Sequence, residues 1–147
     1  MARSAYSGPE ECNCLAVRQA ARHITQFYDQ FLAPSGLRTT QFSILAQLRR
    51  LGPMTINALA AEIVMDRTTL GRNILPLERD GLITVEQGSL DRRSKELQVT
   101  VAGEERFRAG IKGWVQAQRQ FETAFGAKRT ADLRDLLHAV AATELGR

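Results

Sequence analysis

The chain has 147 residues, enough to bury a substantial core in one domain. Lys and Arg number 20 against 16 Asp and Glu, a net charge of +4 that suits a nucleic-acid partner without requiring one. No apolar run approaches the ~18 residues of a membrane span, no signal-peptide core opens the chain, and two cysteines do not make a disulfide scaffold. A cytoplasmic protein with no membrane partner is therefore expected. Residues 1–10, with Gly8-Pro9, read as a loose arm. Over residues 11–33, Leu15, Ala16, Ala20, Ile24, Phe27, Phe31 and Leu32 recur at three- and four-residue steps, which predicts a first helix. Pro34-Ser35-Gly36 breaks it. Thr39 or Thr40 is expected to cap a second helix to about Leu51, with Phe42, Leu45, Leu48 and Leu51 inward, and Gly52-Pro53 ends it. Thr55 caps a short third helix packed through Ile56, Leu59, Ala60 and Ile63, and Val64-Met65 turns into the next.

Residues 66–100 organise the rest. Asp66 is a good N-cap, because its carboxylate can accept from the free amides of a first turn. Leu70, Ile74 and Leu77 then form one apolar stripe, with Thr68, Thr69, Arg72 and Asn73 on the other side. Pro76 removes one backbone hydrogen bond and predicts a kink or a redirected last turn. Gly81 stops the helix. Residues 82–86 and 96–100 alternate apolar and polar as a half-buried hairpin does, around a charged loop with Asp91, Arg92 and Arg93. Two short helices joined by a brief turn, then a basic hairpin, make a winged helix-turn-helix.

A long helix follows from Val101 to about Ala127, with Phe107, Ile111, Trp114, Val115, Phe121 and Phe125 on related faces. Thr130 is expected to begin a last helix with Leu133, Leu136, Leu137 and Val140 inward. The expected architecture is mainly α with a small β-hairpin wing, one domain over residues 1–147. The winged part covers about 37–100, and the helices at about 11–33 and 101–147 dimerise. A two-fold pair matches a palindromic site.

The order helix, helix, helix-turn-helix, wing and two closing helices resembles the MarR family of bacterial transcription regulators over almost the whole chain. The residues that carry the resemblance are RTTLGRN from Arg67, PLERDGLI from Pro76, and DRRSKELQVT from Asp91 with Val101-Ala102-Gly103-Glu104 behind it. The wing departs from the family pattern. Gly88 and Leu90 stand where the family has an earlier Asp and Arg.

The chemistry of each part follows from residue type. A recognition helix fits the major groove, where Arg72 can grip a guanine bidentately, with Thr68, Thr69 and Asn73 around it. Arg67, beside the helix N-terminus, is placed for phosphate. Arg92 and Arg93 suit a narrow A·T minor groove. Asp91 is expected to orient a guanidinium, of Arg72 or Arg93, since phosphates repel it.

Cys14, Arg22 and Tyr28 resemble the organic-hydroperoxide-sensing branch of the family, in which a first-helix cysteine is the target and a tyrosine fourteen positions on bonds it. Arg18 and Thr39 replace that branch's other two tyrosines. A thiolate near Arg18 or Arg22 is still a candidate for oxidation, whereas Cys12 and Cys14 at i and i+2 point to different sides of a helix. The family resemblance also implies a pocket for a small aromatic or phenolic effector, with Arg18, Arg22, Tyr28 and Trp114 as candidates. His23 and His138 lie in no metal-site spacing, and no phosphate loop or nucleophile elbow occurs, so neither an enzyme nor a cofactor is expected. The reading is a homodimeric repressor of a pseudo-palindromic operator, released by an effector. Its alternatives are a peroxide sensor acting through Cys14 and a winged-helix protein-interaction adaptor that binds no DNA.

Overall fold

The computed structural model describes residues 5–88 and 90–146. A 3-10 turn at Pro9–Glu11 leads into α1 (Asn13–Leu32), and a second, Ala33–Ser35, into α2 (Thr39–Leu51). Then come β1 (Met54–Thr55), α3 (Ile56–Ile63), α4 (Arg67–Arg79), β2 (Ile83–Gln87), β3 (Lys95–Val99), α5 (Val101–Phe125) and α6 (Ala127–Ala142).

Four helices begin on a side chain that accepts a first-turn amide: Cys12 from Leu15 at 3.3 Å, Thr55 from Ala58 at 3.1 Å, Asp66 from Thr69 at 2.9 Å and Thr100 from Gly103 at 3.0 Å. α2 departs from expectation. Arg38 is its N-cap residue, and the Arg38 amide donates to Gln41 Oε1 at 3.0 Å. Thr39 instead sends both its amide and its hydroxyl to Asp29 Oδ1 of α1, each at 2.7 Å. A carboxylate from one helix thus sits at the positive end of another and ties the two together. α6 starts at Ala127, ahead of Thr130, because Gly126 at φ 102° turns the chain at once. α4 runs on through Pro76 to Arg79, although the proline ring denies the Arg72 carbonyl its donor. Gly81, at φ 73°, and the Leu82 amide, bonded to the Leu77 carbonyl at 2.9 Å, close it.

The sheet is antiparallel in the order β1-β3-β2. Ile83 faces Val99 and Val85 faces Leu97, which sets the wing register. β1 is absent from the sequence reading. It pairs Met54 with Leu97 just after Gly52-Pro53.

Leu45, Leu48, Leu59, Leu70, Ile74, Leu77, Ile83, Leu97 and Phe107 form the core, drawn from α2–α4, the sheet and α5. Each fully buried Leu or Ile contributes about 1.5–3 kcal/mol. α1 adds only Leu32 among its apolar residues, and α6 adds none. Leu51, read as inward, is half exposed, and so is the α6 stripe: Leu136 is 66% exposed, Leu137 44% and Val140 53%. α6 packs chiefly on α5, and that stripe stays exposed.

The turn between α3 and α4 is strained. Val64, at φ 60° and ψ 51°, holds a left-handed conformation that a β-branched residue avoids, and its side chain is 72% exposed. Such a conformation costs about 1–2 kcal/mol. Val64→Gly is therefore expected to raise stability by about 0.5–1 kcal/mol after glycine's own entropy is counted, read as a higher urea midpoint. An unchanged or lower midpoint would contradict the strain.

Candidate nucleic-acid interface

α4 presents two opposite faces. Leu70, Ile74 and Leu77 are buried, whereas Thr68, Arg72, Leu75 and Arg79, at four-, three- and four-residue steps, are exposed on the far side. Arg67 is exposed at the first turn. Among the described residues neither Arg67 nor Arg72 pairs with a carboxylate. Two cations thus stand in solvent on one helix, their charge neutralised by no carboxylate among the described residues.

The four polar residues singled out on this helix divide. Thr69 donates its hydroxyl to Asp66 Oδ2 at 2.5 Å and its amide to Oδ1, so its polar group completes the cap. Asn73 donates Nδ2 to the Thr69 carbonyl at 2.9 Å. Thr68 and Arg72 are exposed, and Arg72 also borders a hollow with Asp29 of α1 and Arg38 and Gln41 at the start of α2. The Thr69 hydroxyl, followed by its amide, holds the Asp66 carboxyl below its usual range. A depressed folded value means that the cap is complete above the unfolded carboxyl range and is lost as pH falls through the folded value. α4 is therefore fully capped at neutral pH.

The wing is built on its own backbone. Asp91 Oδ1 accepts the Arg93 amide at 2.9 Å, and the Asp91 carbonyl accepts the Ser94 amide at 3.1 Å and the Ser94 hydroxyl at 2.8 Å. Gln87 donates to the Arg92 carbonyl at 2.8 Å. Contrary to the expectation that it orients a guanidinium, Asp91 orients the Arg93 backbone. A short carboxylate reaches an amide two residues on with little loss of freedom, whereas a long guanidinium must be immobilised. The Arg92 and Arg93 side chains are left exposed, and Arg92, Arg93 and Lys95 line a hollow with Glu78 of α4. Gly88 is buried beneath the tip, where a Cβ would lie 2.8 Å from the Asp91 carbonyl oxygen. Leu90 is 99% exposed.

A cavity of about 450 Å³ opens between α1, α2 and α5, walled by Leu32, Phe42, Ala46, Phe107, Ile111 and Trp114. Tyr28, Thr39, Ser43, Gln47 and Arg49 supply its polar atoms. The Tyr28 hydroxyl donates to Gln118 Oε1, and burial, with Glu122 nearby, pushes the phenol above its usual value against the pull of Arg134. The hydroxyl thus stays protonated at neutral pH. The sequence alone gives Arg49 no site role, because that role depends on a neighbour 55 positions on. Its Nε donates to both Glu104 oxygens, at 2.8 and 2.9 Å, and its guanidinium lies 5.2 Å from the Phe107 ring centre. Arg18 and Arg22 are exposed on α1 and do not line this cavity. His23 lines a separate hollow with Phe27, Phe121 and Phe125.

Cys12 and Cys14 are free thiols and both are exposed. Along one α1 helix, Cys14 and Tyr28 stand about 21 Å apart, and the Tyr28 proton is held by Gln118. No group of three His, Cys, Asp or Glu placed to hold a metal ion occurs among the described residues, and no helix among them is long and apolar enough to cross a membrane.

A helix-turn-helix with a cationic outer face and a three-stranded wing defines a winged helix-turn-helix protein. The MarR family model matches residues 37–95. The transcriptional regulator MosR of M. tuberculosis, solved in complex with DNA, is 37% identical, with a TM-score of 0.78 over 92% of this chain and 100% of that one. The HTH-type transcriptional regulator YwoH of Bacillus subtilis is 33% identical over 91 residues, 62% of this chain. A Bacillus cereus HTH-type regulator is 29% identical over 100 residues, 68% of this chain. The matched stretches span 66% and 63% of those two relatives. The chain belongs to the MarR family of transcription regulators, and is not an enzyme.

Proposed function

We propose that the protein is a cytoplasmic homodimeric repressor that binds a pseudo-palindromic operator and leaves it when a small aromatic or phenolic effector binds. Residues 37–100 read DNA, and residues 11–33 and 101–147 join two copies. The observation that carries the DNA reading is the pair of exposed, unpaired cations on α4, Arg67 at its first turn and Arg72 on its outer face. That MosR was solved bound to DNA supports it. Arg72 reads a base, Thr68 flanks it, Arg67 meets phosphate at the helix N-terminus, and Arg92 and Arg93 meet the minor groove. Thr69, Asn73 and Asp91 hold the reading surfaces in shape.

The half-exposed α6 stripe favours pairing, because Leu136, Leu137 and Val140 lie side by side in water on a single chain. Leu137→Asp with Val140→Asp is expected to convert a dimer to a monomer in sedimentation equilibrium and to weaken operator binding at least tenfold. A parent that sediments as a monomer would contradict the pairing.

The effector reading rests on the cavity beside Tyr28 and Trp114, where, among the described residues, Arg49 is the one lining cation and no carboxylate lines the wall. Titration of the protein–operator complex with small aromatic acids tests it. Release by at least one of them, blunted in Trp114→Ala, is expected; indifference to every one would refute the effector site. The peroxide-sensor reading would need Cys14 to meet a group from the second copy, since its own Tyr28 is about 21 Å along the helix.

A further inference from the structure

The outer face of α4 holds one side chain that the polar reading leaves out. Leu75 is 65% exposed, and it lies on the side of α4 turned away from the buried Leu70, Ile74 and Leu77, between Arg72 and Arg79. Single exposed leucines are common on protein surfaces and mean little alone. This one sits three residues beyond Arg72, on the same stripe, so a groove that takes the Arg72 guanidinium brings its floor to the Leu75 methyls as well. The major-groove floor is polar except at one feature, the C5-methyl group of thymine, which apolar side chains contact. A leucine in the middle of that stripe can donate and accept no hydrogen bond, so the only base-edge group that it can favour is that methyl.

We propose that Leu75 is a specificity-determining residue that selects thymine at one position of each half-site through the thymine methyl. The inference rests on the DNA-binding reading of α4. On that reading Arg72 and Leu75 work as a pair. The arginine demands a guanine O6 and N7, and the leucine demands a methyl about one turn of α4 further along the groove. Unlike a phosphate contact, this one carries sequence information without charge, so its strength is insensitive to salt.

The test removes one methyl at a time. A duplex selected by the protein itself from a random pool is remade with each thymine in turn replaced by deoxyuridine, symmetrically in both half-sites. Binding is measured by fluorescence anisotropy with the parent, with Leu75→Ala and with Leu75→Gln, each checked for native helix content. Loss of one buried methyl weakens binding about fourfold per half-site. One thymine position is expected to show that loss with the parent and none with either variant, while the other thymines behave alike in all three proteins. A parent that tolerates deoxyuridine everywhere, or a penalty that persists in Leu75→Ala, overturns the assignment and leaves DNA binding standing. A parent that selects no duplex overturns the DNA-binding reading and this inference with it.

Discussion

Replacing Gly113 by alanine is expected to destabilise the protein by about 3 kcal/mol or more, which lowers the melting temperature by roughly 10 °C. α5 passes so close to the end of α1 that a Cβ at Gly113 would stand 2.8 Å from the Phe31 carbonyl carbon, and closer still to its oxygen. That neighbour is backbone and cannot rotate away. α5 must therefore retreat from α1, opening the contact that carries Leu32 and Phe31. Gly103 makes a similar approach to the Leu82 carbonyl at the foot of the wing. Gly71 is the internal control. It lies in α4, a Cβ there meets nothing within 4 Å, and Gly71→Ala should stabilise by about 1 kcal/mol through helix propensity alone. Urea denaturation of both variants gives the comparison. Equal midpoints would mean that α5 has room to spare at Gly113.

Arg72→Ala should sharply reduce discrimination between operator and random DNA, at a cost of about 1–3 kcal/mol for each lost base contact. The effect belongs to the specific complex, so affinity for random duplex falls far less. Arg93→Ala should act differently, weakening binding at the flanks of the site where the wing reaches the minor groove. Anisotropy titrations with matched specific and random duplexes separate the two. If Arg72→Ala binds both as the parent does, another residue of α4 reads the bases.

Much of this architecture is legible in the sequence because its signals are local. Asp66, Thr55 and Gly81 each act on the adjacent turn, and the stripe of Leu70, Ile74 and Leu77 needs only its own helix to declare itself. What escapes is what depends on distant neighbours. β1 is two residues long and is a strand only because β3 lies beside it, 43 positions away at Met54 and Leu97. The capping carboxylate of α2 comes from Asp29 on another helix, so the nearby threonines mislead. Arg49 enters the cavity wall only through its bonds to Glu104. Gly113 looks like an ordinary helical residue until the Phe31 carbonyl is placed against it.

The candidate site divides along the same line. Thr68 and Arg72 can be assigned to an outer face by helical period, and Arg67 to the first turn by its place next to the Asp66 cap. That Thr69 and Asn73 use their polar groups inside α4 requires coordinates, since either could equally have turned outward. Leu75 enters neither the apolar stripe nor the polar set in the sequence, although its step from Thr68 and Arg72 puts it on the outer face. Period, taken alone, would have placed it correctly. The apolar pattern of α6 gave the face but not its direction, because a stripe that serves a second copy reads the same as one that serves its own core.

The measurement that bears most directly on the central claim is the salt dependence of binding to the DNA beside the protein's own gene, followed by fluorescence anisotropy. Arg67, Arg92 and Arg93 from two copies set about six cations against the duplex, so the binding constant should fall roughly a thousandfold between about 50 and about 200 mM salt, while preference over random duplex persists. Weak binding that ignores salt, or none to any duplex, would contradict a DNA-reading dimer and favour an adaptor that uses the winged fold to hold another protein.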